Sequence, residues 1–309
     1  MTLRTALAAT TGAVGAAVVG NRLLERRAGE LENPLSGVER EYRWRGMTVT
    51  YTTAGDPSDP ELLLLHGVHA AASSYEFEPI FEMLAEHFHV IAVDLPGFGR
   101  SDRPPLVYSP TIYTAFVRAF VADVTDEPIV VASSLAGSFV VAADEIETEI
   151  DRLVLICPTA ETARERPWLR TLLRTPIVGS TLFNALASKP SIRRFLEREG
   201  YYDPASIDAD ELEYAWRSAH QPGARFAPAS FAAGTLDPDV DLEADLAALD
   251  VPVTLVWGRD AELVPLREGR ELAEAADLEL VVIDYATLLP HAEHPEAFLE
   301  YVESELPRA

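Results

Sequence analysis

The stretch that decides the fold reads Pro128-Ile-Val-Val-Ala-Ser133-Ser134-Leu135-Ala136-Gly137. Its first half is apolar and β-branched, as in a buried strand, and its second half continues with helical spacing. A serine at such a junction is lifted above the sheet on a strained turn, which requires small residues two positions away on each side. Ala132 and Ala136 meet that requirement around Ser134, whereas the neighbours of Ser133 are too large. The stretch therefore predicts Ser134 as a nucleophile.

Strand and helix patterns alternate on both sides of this stretch. The predicted strands cover residues 42–46, 48–54, 62–65, 90–93, 128–132, 153–156, 253–257 and 278–283. Alternation of this kind requires crossover connections, so we expect an α/β fold with a mostly parallel sheet flanked by helices.

The alternation stops in the middle of the chain. From Glu161 to about Asp250 the sequence has helical stretches and no convincing strand. We therefore predict an N-terminal apolar and basic segment at 1–36, a core in two parts at 37–160 and 250–309, and a helical cap at 161–249 over the carboxyl edge of the sheet.

Composition excludes several classes of protein. The chain has 309 residues, 48% of them hydrophobic, which is typical of a globular protein. Its single cysteine, Cys157, excludes a disulfide framework and a multi-cysteine metal site. Fifty acidic residues against 25 basic ones give a net charge of −25, which disfavours a nucleic-acid partner.

The first residues carry a different pattern. Residues 5–20 have no charge, and Arg22, Arg26 and Arg27 follow them. A bilayer core needs about 20 apolar residues, and this run is shorter and only weakly hydrophobic. We expect a cytoplasmic protein that this segment tethers to, or rests on, a membrane surface. A soluble helix on the domain and a secretory signal peptide are the alternatives, and the basic far flank disfavours the signal peptide.

Several motifs in order make the chain resemble the α/β-hydrolase family, and specifically the capped epoxide hydrolase, haloperoxidase and C–C hydrolase group. These motifs are His66-Gly67, the run from Asp94 to Asp102, the turn at Ser134, Trp257-Gly258 and residues 290–298. The resemblance implies an α/β-hydrolase fold with a helical cap, a cofactor-free site, and Ser134 as nucleophile. It also implies that the backbone N–H groups of Val68 and Leu135 form an oxyanion hole.

Two positions of the family's catalytic triad depart from the pattern. The acid normally stands three residues after the glycine of the late strand, and Ala261 stands there. The base normally stands where this chain has Leu288. Asp260 and Glu262 flank the acid position, but neighbouring loop residues point in different directions. The sequence therefore predicts a degenerate triad.

Two histidines are candidates for a replacement base. His291 matches the family's second, structural histidine, three residues after Leu288, and His69 lies in the predicted oxyanion loop. Both could equally be lining or packing residues, and we interpret His66 as a residue that shapes the loop. We place His69, Leu288 and Ala261 in the pocket and predict no metal site.

Three functions remain compatible with these residues. The first is a serine hydrolase that acts on a small apolar ester or related carbonyl compound, with Ser134 as nucleophile and a non-standard base. The second is an inactive homologue that binds a hydrophobic ligand or partner, since Leu288 and Ala261 make a polar site apolar. The third is other cofactor-free acid–base chemistry in the same cleft.

The acidity leads to the first testable prediction. Surplus carboxylates repel one another in dilute buffer and are tolerated where salt screens them, so we interpret this composition as adaptation to a salt-rich cytoplasm. The melting temperature should rise steeply between about 0.1 M and 1 M KCl, as the screening length falls from roughly 10 Å to 3 Å. Equal stability in dilute buffer would indicate an ordinary acidic protein instead.

Overall fold

A computed structural model describes residues 3–305, and it describes side chains from Val14 to Tyr301. Eight strands form one sheet in the order β1-β2-β4-β3-β5-β6-β7-β8. They are β1 (Val38–Trp44), β2 (Met47–Ala54), β3 (Glu61–Leu65), β4 (His89–Val93), β5 (Ile129–Ser133), β6 (Arg152–Ile156), β7 (Val253–Gly258) and β8 (Glu279–Ile283). Every predicted strand is present, and the predicted α/β-hydrolase fold is confirmed.

The sheet is antiparallel at one edge and parallel elsewhere. β1 pairs with β2, and β2 with β4, in antiparallel register, while all later pairs are parallel. The central strands β3 and β5 are buried almost throughout, because helices cover both faces of the sheet. The carboxyl ends of the parallel strands therefore meet at one edge, which is where ligands bind in open α/β sheets.

Thirteen α-helices occur among the described residues. They are α1 (Leu3–Ala28), α2 (Glu78–Leu84), α3 (Pro110–Val124), α4 (Leu135–Val141), α5 (Pro167–Arg174), α6 (Val178–Leu186), α7 (Lys189–Phe195), α8 (Ala209–Ala219), α9 (Phe226–Ala232), α10 (Leu242–Ala247), α11 (Leu266–Ala276), α12 (Pro290–Glu293) and α13 (Pro295–Glu305). The predicted helix over 75–88 is shorter in the structure, because a 3₁₀ turn at Ser74–Phe77 precedes α2.

The segment between β6 and β7 is helical. It contains α5 to α10, and its described residues form no strand. Its own apolar cluster includes Phe183, Ile192 and Trp216, and it reaches Ala71 in the loop that follows β3. That contact places the segment over the carboxyl edge of the sheet.

The second half of α1 packs on this helical segment. Asn21 Nδ2 donates to Thr181 Oγ1 at 3.2 Å, and Arg217 Nε donates to the carbonyl of Ala28 at 2.9 Å. This is the arrangement expected of a helix that lies on the domain surface.

No helix among the described residues is both long enough and apolar enough to cross a membrane.

A buried ion pair fixes the loop that follows β4. Arg100 Nε donates to Asp94 Oδ2 at 2.9 Å, and their side chains are only 5% and 0% exposed. Asp94 also accepts from the backbone of Ser74 at 2.7 Å. Burial alone would raise the pKa of Asp94, but the Arg100 guanidinium, His66 and the backbone donors together hold it below its usual value. The pair therefore ties the β4 loop to the turn that carries Glu76.

Removing the cation should be costly. We expect Arg100→Met to lower the free energy of unfolding by roughly 3–5 kcal/mol, because it leaves a buried carboxylate without its counter-charge. Arg118→Met is the matched control, since Arg118 pairs with Glu145 on the surface, where both side chains are more than half exposed. Urea unfolding of both variants would measure this, and equal losses would contradict the prediction.

Candidate active site

Ser134 occupies a strained turn between β5 and α4. Its backbone has φ +52° and ψ −127°, a conformation that non-glycine residues adopt only where the surroundings enforce it. Its N–H donates to the carbonyl of Ile156 at 2.8 Å, which anchors the turn to the neighbouring strand. Ala132 and Ala136 are fully buried on either side. A Cβ on Gly137 would come within 2.8 Å of Leu155, so small residues allow the helix to approach the sheet.

The loop after β3 lies directly against this turn. A Cβ on Gly67 would stand 3.6 Å from Ser134 Cβ. Among the described residues, no hydrogen bond occupies the N–H of Val68 or that of Leu135, the first residue of α4. The two predicted oxyanion donors are thus unengaged near the serine, and the one on α4 adds the partial positive charge of a helix N-terminus.

Ser134 opens into a cavity of about 320 Å³ between the sheet edge and the helical segment. This is within the range of small-molecule sites. The apolar part of the wall includes Val68, Ile192, Phe195, Leu196, Phe231, Leu263, Val264, Leu288 and Leu289. Its acidic residues are Glu76, Glu161 and Glu211, and no lysine or arginine is among the lining residues. The cavity suits a small, apolar, uncharged ligand.

The positions expected for the triad acid and base are apolar and buried. Leu288 lines the cavity, while Ala261 is 7% exposed and lies outside the lining. Asp260 and Glu262, the carboxylates that flank Ala261, are exposed and also lie outside it. Neither is placed to support a base at Ser134.

The two histidines predicted as possible bases, His69 and His291, and the loop residue His66 occupy different surroundings. His69 lines the cavity, and burial lowers its pKa to about 4. His66 Nε2 accepts from the N–H of Leu95 at 3.1 Å, which is a loop-shaping role. His291 is fully buried and does not line the cavity, and burial lowers its pKa to about 3. Of the predicted base candidates, the structure brings only His69 to the cavity that Ser134 lines.

Sequence reasoning missed Glu76, a carboxyl in the cavity floor. Its side chain is 7% exposed, and its Oε2 accepts from the N–H of Gly67 at 2.8 Å. Burial raises the pKa of Glu76 to about 7, although hydrogen bonds from Ser133 and Gly67 oppose the rise. The available signal was its spacing, because Glu76 lies four and eight residues before Ile80 and Leu84, on the apolar side of the predicted helix.

A second carboxyl with a raised pKa faces the cavity from the helical segment. Burial raises the pKa of Glu211 to about 7, against a hydrogen bond from the Tyr201 hydroxyl. Tyr201 itself is buried. The charge of Glu211 also contributes to the raised pKa of Glu76. The cavity therefore has two carboxyls that change charge near neutral pH.

The raised pKa of Glu76 predicts how stability depends on pH. The folded protein favours the neutral carboxyl, so this contribution is complete below about pH 4.5 and is lost as pH rises through 7. Relative to wild type, Glu76→Gln should therefore gain stability between pH 5 and 8, by up to about 3 kcal/mol at 1.4 kcal/mol per pKa unit.

Glu82→Gln is the matched control, because Glu82 is exposed on α2. Denaturant unfolding at pH 5 and pH 8 measures both differences. If the Glu76 and Glu82 variants follow parallel pH profiles, Glu76 titrates as an ordinary surface carboxyl and the prediction is wrong.

Comparison with known proteins agrees with the fold. The profile of the alpha/beta hydrolase family matches residues 62–301. A pimeloyl-[acyl-carrier protein] methyl ester esterase of Aeromonas salmonicida is 30% identical over 251 residues, covering 79% of this chain and 94% of that protein. Its counterpart from Pseudoalteromonas atlantica is 29% identical over 270 residues, covering 84% and 96%.

A solved structure has the same fold. A serine hydrolase involved in carbazole degradation superposes with a TM-score of 0.70 at 20% identity, covering 87% of this chain and 98% of that one. The family predicted from the sequence motifs is confirmed: the chain belongs to the alpha/beta hydrolase family.

Proposed function

We propose that this protein is a serine esterase that hydrolyses small, apolar carboxylic esters through an acyl-enzyme on Ser134. The observation that carries the proposal is the strained turn at Ser134, which opens into the cavity beside two unengaged backbone donors. The names of its relatives support the reaction class, since two of them are methyl ester esterases.

The chemistry divides into two acyl transfers. Ser134 Oγ attacks the ester carbonyl, and the N–H groups of Val68 and Leu135 hold the oxygen that becomes negative. Collapse of this intermediate breaks the bond to the alcohol and leaves an acyl-serine. Water then attacks the acyl carbon, releasing the acid and restoring the hydroxyl.

The cavity wall supports a choice of substrate. Its apolar side chains favour an aliphatic or small aromatic acyl group. Glu76, Glu161 and Glu211 place only negative or neutral groups in the lining, so a carboxylate on the substrate would be repelled. We therefore expect neutral esters to be preferred over monoesters of dicarboxylic acids, which carry a free carboxylate.

A second candidate function is a binding protein without hydrolytic activity. Leu288 supports it, because an apolar residue lines the cavity at the position of the family's base. A triad serine that loses its base retains only about 10³–10⁴-fold acceleration over water. In this case the cavity would hold an apolar ligand unchanged.

Labelling by a fluorophosphonate probe separates the two functions. We expect the wild-type protein in high salt to be labelled and Ser134→Ala not to be labelled, because the probe traps an activated serine. Ser138→Ala is the control, since Ser138 is buried on the same helix and donates to the carbonyl of Thr159. A folded wild type that shows no labelling would favour the binding protein.

A further inference from the structure

The carboxyl of Glu76 is held in a defined orientation in the cavity floor. Its Oε2 accepts from the N–H of Gly67 at 2.8 Å, and the Ser133 side chain lies close enough to lower the pKa of the Glu76 carboxyl through a hydrogen bond. Both donors lie beside the nucleophile, Gly67 in the oxyanion loop and Ser133 immediately before Ser134. Glu76 is thus connected to the two elements that build the proposed site.

The same carboxyl lies close to the nucleophile. From the point where a Cβ on Gly67 would stand, Glu76 Oε2 and Ser133 Oγ are both 3.3 Å away and Ser134 Cβ is 3.6 Å away. Glu76 Oε2 therefore lies no more than about 7 Å from Ser134 Cβ. One water molecule that hydrogen-bonds to both side chains spans such a separation, and proton transfer through one water is effective.

An imidazole stands behind the carboxyl. His291 Nε2 is 3.5 Å from Glu76 Oε1, and neither atom has a hydrogen-bond partner among the described residues. The His291 ring is enclosed by Phe77 and Phe298. The carboxyl therefore faces the cavity and the imidazole lies behind it, which reverses the usual triad order of serine, histidine and carboxylate.

We propose that Glu76 is the general base for Ser134, with the Ser133 hydroxyl as a positioning group and His291 closing the site behind it. This inference rests on the proposed esterase function and assigns the base that the chain lacks at Leu288. It needs no residue from the exposed loop that holds Asp260 and Glu262.

Each proton has a defined destination in this scheme. As Ser134 Oγ bonds to the acyl carbon, its proton passes to the Glu76 carboxylate through one water. Protonated Glu76 returns that proton to the departing alkoxide when the ester bond breaks. In the second half, attacking water loses a proton to Glu76, which returns it to Ser134 Oγ as the acyl–oxygen bond breaks.

The acidity of the group suits this role. A base works best when its pKa is close to the working pH, and burial raises the pKa of Glu76 to about 7. Burial lowers the pKa of His69, the other titratable candidate beside the serine, to about 4, which makes it a weak base. The titratable groups that face Glu76 are His291 from α12, Glu211 from α8, and Tyr201.

The test compares pH profiles for hydrolysis of p-nitrophenyl butyrate between pH 5 and 9. For wild type, kcat/KM should rise with pH and reach a plateau above a midpoint near 7. Glu76→Gln should lower kcat/KM by about 10²–10⁴-fold and remove the midpoint, because the amide cannot accept the proton. Glu82→Gln on α2 is the exposed control and should retain the wild-type profile.

A second variant tests the positioning group. The hydrogen bond from Ser133 lowers the pKa of Glu76, so Ser133→Ala should move the midpoint to higher pH while the plateau activity is reduced less than in Glu76→Gln. An unchanged midpoint would overturn the role assigned to Ser133. A merely structural role would lower activity at every pH without moving the midpoint.

The possible outcomes distinguish a failure of the Glu76 assignment from a failure of the proposed esterase function. If wild type hydrolyses the ester and labels at Ser134 while folded Glu76→Gln stays within twofold of it, the base assignment is wrong and the esterase function stands. If wild type neither labels nor hydrolyses, both fail. Loss of activity in Glu76→Gln with an unchanged Glu82→Gln profile supports the assignment.

Discussion

The rest of the site depends on the backbone strain at Ser134. A residue with a side chain enters this conformation at a cost of order 1–3 kcal/mol, and the surrounding packing must supply it. Here the packing comes from Ala132 and Ala136 and from the hydrogen bond to Ile156. Because the serine is fixed in this way, the loop at Gly67 can lie against it and the helical segment can close a cavity above both. Small side chains around the turn are therefore a structural condition for the cavity.

Much of this arrangement was predictable, because it depends on local patterns. Buried strands show as short apolar runs, and the parallel sheet follows from their alternation with helices. The turn at Ser134 was predictable for the same reason, since its requirement for small neighbours involves residues only two positions away. The apolar character of Leu288 and Ala261 could also be read from motif spacing.

The role of Glu76 could not be recognised from local pattern alone. Four glutamates occur between residues 76 and 86, and glutamates are mostly exposed in folded proteins, so the apolar spacing of Glu76 alone does not indicate a role in catalysis. What distinguishes Glu76 is a set of contacts with Gly67, Ser133 and His291, which come from three separate parts of the chain. The burial of His291 could not be predicted from local pattern either. It results from contacts with the rings of Phe77 and Phe298, and not from the distance between His291 and Leu288 along the sequence.

The apolar residue at 288 and the raised pKa of Glu76 are consistent with one physical cause. A carboxyl near solvent or beside a cation stays ionised well below neutral pH, and it is then too weak a base to take a proton from serine. Glu76 shares its cavity with Leu288 and Leu289, and no lysine or arginine is among the lining residues. Desolvation by such a wall favours the neutral carboxyl and brings its pKa close to neutrality. Leu288 thus belongs to the apolar surroundings that bring the pKa of Glu76 into the range that a general base requires.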